Sequence, residues 1–307
     1  MVTMKQQRSF PIVTIVVPCR GHARQLASCL RGLEQQVSTS PYEIIVVDSA
    51  ADPAVATVVG RFPMVFLVRS QLGLLPSAAR NLGVSQARGR YLAFTDADCV
   101  PEPQWLESAI EALGAGAKVV GGPVLDALPF HPIAVADNLL QFADFPQKRP
   151  DGAASYFPGC NVALGRDEFH QLGGFPHTTL QAGEDTLFCE AATARWPDGI
   201  RFVQGMRVRH TGRTNFIAFW KHQESFGFCR GALGLKLRTL YKNLGKWSVM
   251  TTPVACKRLS YIVFRTMQWH PLGLVRLILL LPVLLIGLAA WARGFRRGCL
   301  VSGKQTA

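Results

Sequence analysis

Short, almost continuously apolar runs recur through the first third of the chain, and most end on a charged residue. Pro11–Pro18 contains Ile12-Val13-Thr14-Ile15-Val16-Val17; Tyr42–Val47 ends at Asp48; Val65–Arg69 is a third run; Tyr91–Thr95 ends at Asp96. Runs this short, β-branched and without polar alternation read as buried strands. Between them lie segments with helical spacing: Leu26–Gln35 (Leu26, Leu30, Leu33), the Ala-rich Pro76–Ala87 and Gln104–Leu113. Apolar strands alternating with helices predict an α/β fold with a mainly parallel sheet covered on both faces.

The run at Tyr91 delivers two carboxylates, Asp96 and Asp98, with one residue between them, before Pro101 closes the stretch. They fall at the carboxyl end of a predicted strand, the edge at which open α/β sheets bind ligands. Two carboxylates so spaced can both face a hard divalent cation, which takes oxygen ligands and shares them with substrate phosphates. An acidic turn is the competing reading, since Asp is common in turns. The strand at Pro11 is not followed by Gly-x-Gly-x-x-Gly, and Gly-x-x-x-x-Gly-Lys-Ser/Thr is absent. Neither a dinucleotide fingerprint nor a P-loop is therefore available to hold phosphates.

Charge is distributed unevenly. Residues 1–200 hold 15 Lys and Arg against 19 Asp and Glu; residues 201–307 hold 18 against one, Glu224. A nearly neutral body thus carries a strongly basic tail, which attracts nucleic acid or anionic lipid. The eight cysteines are scattered and none has Cys-x-x-Cys spacing. That pattern argues against a zinc ribbon or disulfide scaffold and for a reducing, cytosolic setting. Lys5 and Arg8 ahead of Phe10–Pro18 mimic a signal peptide, but a short β-branched run is better explained as a buried first strand.

Taken in order, Ile15-Val16-Val17-Pro18, Ile45-Val46-Val47-Asp48, Ala79-Arg80-Asn81-x-Gly83 and Phe94-x-Asp96-x-Asp98 resemble the family 2 glycosyltransferases. The resemblance continues through Pro158-Gly159-Cys160-Asn161-Val162-Ala163, Leu172-Gly173-Gly174-Phe175 and Gly183-Glu184-Asp185-Thr186-x-Phe188, covering roughly residues 11–215. It implies a GT-A catalytic domain over residues 1–215, a nucleotide-diphosphate sugar donor, and a divalent metal, Mg²⁺ or Mn²⁺, held by the Asp-x-Asp.

The resemblance also assigns roles. Asp98 is placed on the metal, and Asp96 on the metal or the donor's sugar. Asp185 is placed as the base, with Glu184 beside it. His210 matches a histidine that completes the metal or contacts the diphosphate, and Asp48 matches an acid that contacts the nucleotide base. Asp52 is a second acid in that loop, with a turn as its alternative. The residues themselves support part of this. Glu184-Asp185 follows a glycine and opens an apolar helical run, where acids also serve as helix caps. Arg80 has two readings, a phosphate contact or a structural salt bridge. Arg20 stands where the family has an aromatic or Asn and is a candidate for the nucleotide. Gln223 is followed by Glu224-Ser225-Phe226-Gly227 rather than completing Gln-x-x-Arg-Trp, which argues against a processive polymer synthase.

Residues 216–307 read as a membrane-associating region. Phe216–Arg238 interleaves aromatics with cations, and Leu272–Trp291 carries a single charge, Arg276. Twenty such residues are enough to cross a bilayer core, so anionic membrane rather than nucleic acid is the expected partner. Pro282 divides the run and both flanks are basic. That favours a re-entrant or interfacial hairpin broken near Pro282, with one full span as the other option. Residues 244–270 add a surface-lying amphipathic helix.

The expected activity is metal-dependent, inverting transfer to a hydroxyl acceptor, lipid or lipid-linked, at the cytosolic membrane face. Two rivals are a nucleotidyltransferase of similar fold and a membrane-attached scaffold without catalysis. The first needs a lysine- and glycine-rich N-terminal loop, for which Arg20-Gly21 is a thin match; intact Asp96, Asp98 and Asp185 speak against the second.

Overall fold

The computed structural model describes residues 10–233 and 251–304. In chain order the elements are β1 (Val13–Cys19), α1 (Ala23–Glu34), β2 (Tyr42–Asp48), α2 (Pro53–Val59), β3 (Val65–Arg69), α3 (Pro76–Ser85), β4 (Tyr91–Phe94), β5 (Cys99–Pro101), α4 (Trp105–Gly114), β6 (Val119–Gly121), β7 (Val124–Asp126), α5 (Pro132–Phe142), β8 (Gly152–Ala153), β9 (Val162–Gly165), α6 (Arg166–Gln171), α7 (Glu184–Arg195), β10 (Ile200–Phe202), β11 (Val208–His210), α8 (Phe216–Ala232), α9 (Thr251–Trp269) and α10 (Gly273–Lys304). Packing divides the chain into two units. The first comprises residues 1–122, 151–177 and 185–208; the second comprises 123–150, 178–184 and 209–307.

The first unit is built on an eight-stranded sheet of order β3-β2-β1-β4-β9-β6-β10-β8. β3, β2, β1 and β4 run parallel, in a register that pairs Cys19 with Asp48 and Val16 with Phe94. The carboxyl ends of β1, β2 and β4 therefore share one edge. Ile15, Val16, Val17, Val46 and Val47 are fully buried because helices cover both faces. β9 is antiparallel to both β4 and β6, and Val162 sits opposite Phe94. That reversal brings the loop entering β9, Pro158–Asn161, to the edge where β4 ends. The apolar runs thus form the predicted strands, with limits shifted by a residue or two, and the fold is GT-A-like α/β with a mostly parallel central sheet.

Four phenylalanines, Phe94, Phe169 of α6, Phe175 and Phe188, then lock α6 and α7 onto this sheet. Phe94 meets Phe175 edge-on at 5.1 Å, and Phe175 stacks on Phe188 of α7 at 4.5 Å. Such pairs add about 0.5–1.5 kcal/mol beyond the area they bury. Phe188 lies three positions after Asp185, so its packing fixes the start of α7.

The second unit is helical. Ile133, Val135, Ala136 and Leu140 of α5 form its core with Phe219 of α8, Ile262 of α9, and Leu277, Leu280, Leu284 and Leu288 of α10. α8 and α10 approach closely at glycines on both helices. A Cβ on Gly227 would lie 1.9 Å from the Trp291 carbonyl oxygen, and one on Gly294 would lie 1.9 Å from that of Glu224. At Gly231 and Gly298 a Cβ would lie 2.2 Å from the carbonyl oxygens of Phe295 and Phe228. Each helix therefore contributes a Gly-x-x-x-Gly notch, the arrangement that lets helix backbones touch.

α10 overturns the expected break at Pro282, because the helix runs through it. An interior proline costs about 3 kcal/mol, from a lost hydrogen bond and a ring clash. Burying Leu280 and Leu284, one on each side, offsets that cost at about 1.5–3 kcal/mol each. Pro282 itself lies on the exposed side. The same helix supplies four leucines to the core, so the run that lacked a polar face in sequence is nonetheless packed along one side. Of the amphipathic segment expected over 244–270, α9 is helical, and residues 244–250 lie outside the described part.

Candidate active site

The first unit collects acids along the carboxyl edge of its sheet. Asp48 ends β2 fully buried; its Oδ1 accepts from the Ala50 amide at 3.2 Å. The guanidinium of Arg69 lies 3.7 Å from Oδ2, which accepts no hydrogen bond among the described residues. Asp52 caps α2, accepting from the Ala54 amide at 2.8 Å. Arg20 is exposed just past β1.

Beyond β4, Asp96 pairs with Arg80 at 2.7 Å. The Arg80 side chain is 3% exposed; its guanidinium lies 5.3 Å over the Phe175 ring and close against Gly159. A Cβ at position 159 would meet the guanidinium carbon at 2.7 Å, which is why a glycine stands there. Of the two readings for Arg80, the salt bridge is present. Asp98 is half-buried, and the Cys99 thiol points to its Oδ1 at 3.9 Å.

Asp185 opens α7. Its Oδ2 accepts from the Tyr156 hydroxyl at 2.9 Å and the Gly159 amide at 3.3 Å. Its Oδ1 accepts from the Thr186 amide at 2.7 Å and, weakly, from the Thr186 hydroxyl at 3.4 Å. Gly159 therefore touches both Asp185, through its amide, and the Arg80 that holds Asp96. The motif residues around it are staples. Asn161 accepts from the Trp105 indole and donates to the Met206 carbonyl, each at 2.8 Å. Asn81 makes reciprocal bonds to the Phe175 backbone at 2.8 and 3.0 Å. Tyr156 is the site residue that sequence reasoning missed, since only the fold brings position 156 to position 185.

Cysteine nucleophiles are excluded at this edge. Burial, and then the charges of Asp48, Asp52 and Asp98, push the Cys19 thiol up to about 12. Burial also raises the Cys99 thiol well above its ordinary value, followed by its hydrogen bond to Cys160 and the charges of Asp98 and Asp96. Both stay protonated, and all eight cysteines are free.

The second unit contains Glu184, which is buried, and His210 at the end of β11. His210 is 5% exposed, and its Nδ1 lies 2.7 Å from Asn138 Oδ1 on α5. His222 bonds the buried Asp137 with its Nδ1 at 3.0 Å.

The sheet topology is that of a GT-A-like α/β fold with carboxylates along its carboxyl edge, and comparison with known proteins identifies the family. The model of glycosyl transferase family 2 matches residues 14–172, just over half of the chain. The protein belongs to that family of glycosyltransferases. It is similar to glycosyltransferase AglE of Haloferax volcanii, 28% identical over 184 residues, which are 57% of this chain and 60% of that protein. It is also similar to the pre-mycofactocin glycosyltransferase of Mycobacterium tuberculosis, 28% identical over 187 residues, 58% of this chain and 38% of that one. The chain thus matches less than two thirds of the length of either relative. Among solved structures, mannosyltransferase PcManGT of Pyrobaculum calidifontis, in complex with GDP-Man and Mn²⁺, shares the fold. Its TM-score is 0.59 at 20% identity, over 94% of this chain and 87% of that one.

Proposed function

We propose that the protein moves a sugar from a nucleotide-diphosphate donor to a hydroxyl acceptor with inversion, and that Asp185 is the base. The observation that supports this most is the shared Gly159: one residue binds the Asp185 carboxylate and backs the Arg80–Asp96 pair. Base and donor-side acid thus stand at one sheet edge. Tyr156 and the Gly159 amide orient the carboxylate. The Thr186 hydroxyl, at 3.4 Å the weakest partner, is the one the acceptor hydroxyl displaces. The proton then passes to Asp185 as the acceptor oxygen attacks. The hydrogen-bond vacancy at the buried Asp48 Oδ2 suits an N–H of the nucleotide base.

Among the residues proposed for the metal, Asp98 offers a hard carboxylate oxygen, suited to Mg²⁺ or Mn²⁺. His210 offers a ring nitrogen whose partner nitrogen is already engaged, as ligating histidines require. When bound, the metal supplies Lewis-acid neutralisation of the departing diphosphate. PcManGT, solved with Mn²⁺ and GDP-Man, supports this cofactor and donor class.

We place the acceptor on or in a membrane, with residues 1–215 carrying the chemistry at the cytosolic face. α10 buries one side and exposes Val275, Ile278 and Leu279 at 64–76%, while α9 exposes Phe264 and Met267. Among the described residues, α10 is also the one helix long and apolar enough to cross a bilayer. An accessible C-terminal tag outside the cell selects the full span; a tag inside selects an interfacial helix. Eight free cysteines agree with a reducing compartment.

Donor hydrolysis and transfer, assayed with and without Mn²⁺, test the reading. Asp185→Asn is expected to lower turnover by about 10²–10⁴-fold while leaving donor binding in place. Turnover that persists unchanged without Mn²⁺ and in Asp185→Asn overturns the metal and base assignments; no donor turnover under any condition leaves a non-catalytic scaffold.

A further inference from the structure

The single charge in the apolar run, Arg276, does not face solvent alone. Its Nη1 lies 2.9 Å from Asp126 Oδ2, and it donates to the Pro129 carbonyl. Asp126 Oδ1 accepts from Asn138 Nδ2 at 2.8 Å, and that same Nδ2 lies 3.3 Å from the His210 carbonyl oxygen. An ionised carboxylate and a carbonyl can only accept. Both sit on one side of the Asn138 amide, so that side is the NH₂ and its orientation follows from its partners. Asn138 Oδ1 then faces His210 Nδ1 at 2.7 Å. A carbonyl oxygen cannot donate, so Nδ1 carries the hydrogen, and in the neutral ring Nε2 holds the lone pair. Asn138 and His210 are each 5% exposed, so water does not compete for this bond.

We propose that Asn138 is a positioning residue that selects the His210 tautomer, with Asp126 and Arg276 fixing the amide that makes the selection. The role extends the reading of His210 as a metal ligand and rests on it. Without Asn138 the ring is free to place its hydrogen on either nitrogen and to turn, and the Nε2 lone pair is no longer guaranteed. Arg276 accounts for itself in this arrangement: it balances a carboxylate that is otherwise placed only to orient an amide.

The test uses the full chain, ¹⁵N-labelled at histidine, with the ring nitrogen shifts read by NMR and Mn²⁺ binding read by EPR of the free ion. The unsubstituted protein should show His210 protonated at Nδ1. Asn138→Leu should mix the tautomers and weaken Mn²⁺ binding by about 10–100-fold, the usual cost of losing an outer partner of a ligating histidine. Asn138→Asp combined with Asp126→Asn exchanges the carboxylate and the amide and keeps an acceptor on Nδ1. This double variant should recover the Nδ1 tautomer and most of the affinity, which separates positioning from damage to the fold. Unchanged ring shifts and Mn²⁺ affinity in Asn138→Leu overturn the proposal, as does a double variant that recovers neither. His210→Ala keeps the two failures apart. If it leaves Mn²⁺ binding untouched, the metal-ligand reading is wrong; if it weakens binding while Asn138→Leu does not, only the positioning role is lost.

Discussion

The two units bury polar side chains in different ways. In the first, the buried Asn161 and the half-buried Asn81 tie separate chain segments together and sit inside recognisable motifs. In the second, a buried charge outside any motif gathers donors from separate helices and loops, whereas the buried charges of the first, Asp48 and Arg80, lie within its motifs. Asp137 of α5 is fully buried and accepts from the Arg213 amide, Gln223 Nε2 and His222 Nδ1 at 2.8–3.1 Å. A sheet satisfies its own backbone, so its polar side chains serve the loops at its edge. A helical unit satisfies its backbone within each helix, so a buried side-chain network is what specifies which helix face meets which.

The sharpest way to break this comparison is to remove one polar residue from each unit and replace it with a leucine. Asp137→Leu strands three donors, two of them on side chains, and should cost about 5 kcal/mol. Asn161→Leu strands the Trp105 indole and the Met206 carbonyl and should cost about 3 kcal/mol. Urea unfolding of each variant gives the two numbers, and hydrogen exchange shows whether α5 and α8 lose protection in the first case. A larger cost for Asn161→Leu would invert the claim that the charge network is the more critical of the two.

Packing supplies the next test. The sheet of the first unit packs its faces with β-branched side chains, whereas α8 and α10 meet where side chains are missing. Gly227→Ala and Gly294→Ala each place a methyl where a carbonyl oxygen now sits within 2 Å. Each should destabilise by about 1–3 kcal/mol through forced separation of the helices. A neutral result in thermal unfolding would mean that these backbones are not in contact in solution.

These differences decide what was legible from sequence. The apolar runs at Ile12–Val17, Tyr42–Val47 and Tyr91–Thr95 declared strands because burial on both faces leaves no alternation to misread. Glu184-Asp185 declared a helix start because a glycine precedes it and an apolar run follows. Asp96 and Asp98 were visible as a pair, but that Asp96 is held by Arg80 follows from the position of α3, which no local pattern encodes. Asn138 lies 72 residues from His210, and Asp137 lies 85 from His222; separations of that length leave no periodic signal. The unbroken α10 was illegible for a related reason. Pro282 is a valid stop signal, and only leucine burial on either side of it outweighs the cost.

The smallest expected effect is a dependence on pH that resides in the second unit. Burial disfavours the charged form of His222 and pushes its pKa below the ordinary 6.5, although Asp137 pulls the other way. The Arg213 guanidinium, 3.4 Å from Nε2, reinforces the neutral form. Asp137 is opposed by its own burial, yet the donors from His222, Arg213 and Gln223 hold it below the usual carboxylate value. The folded state thus binds fewer protons than the unfolded chain at both groups, and stability falls with acid. The His222 contribution is complete above pH 6.5 and drains as pH drops below that value; the Asp137 contribution drains only below 3.8. Each group changes stability by at most about 1.4 kcal/mol per pH unit. Thermal unfolding at a series of pH values should therefore show a first decline just below 6.5 that His222→Gln flattens. A decline that survives this substitution unchanged would place the titrating group outside the Asp137 network.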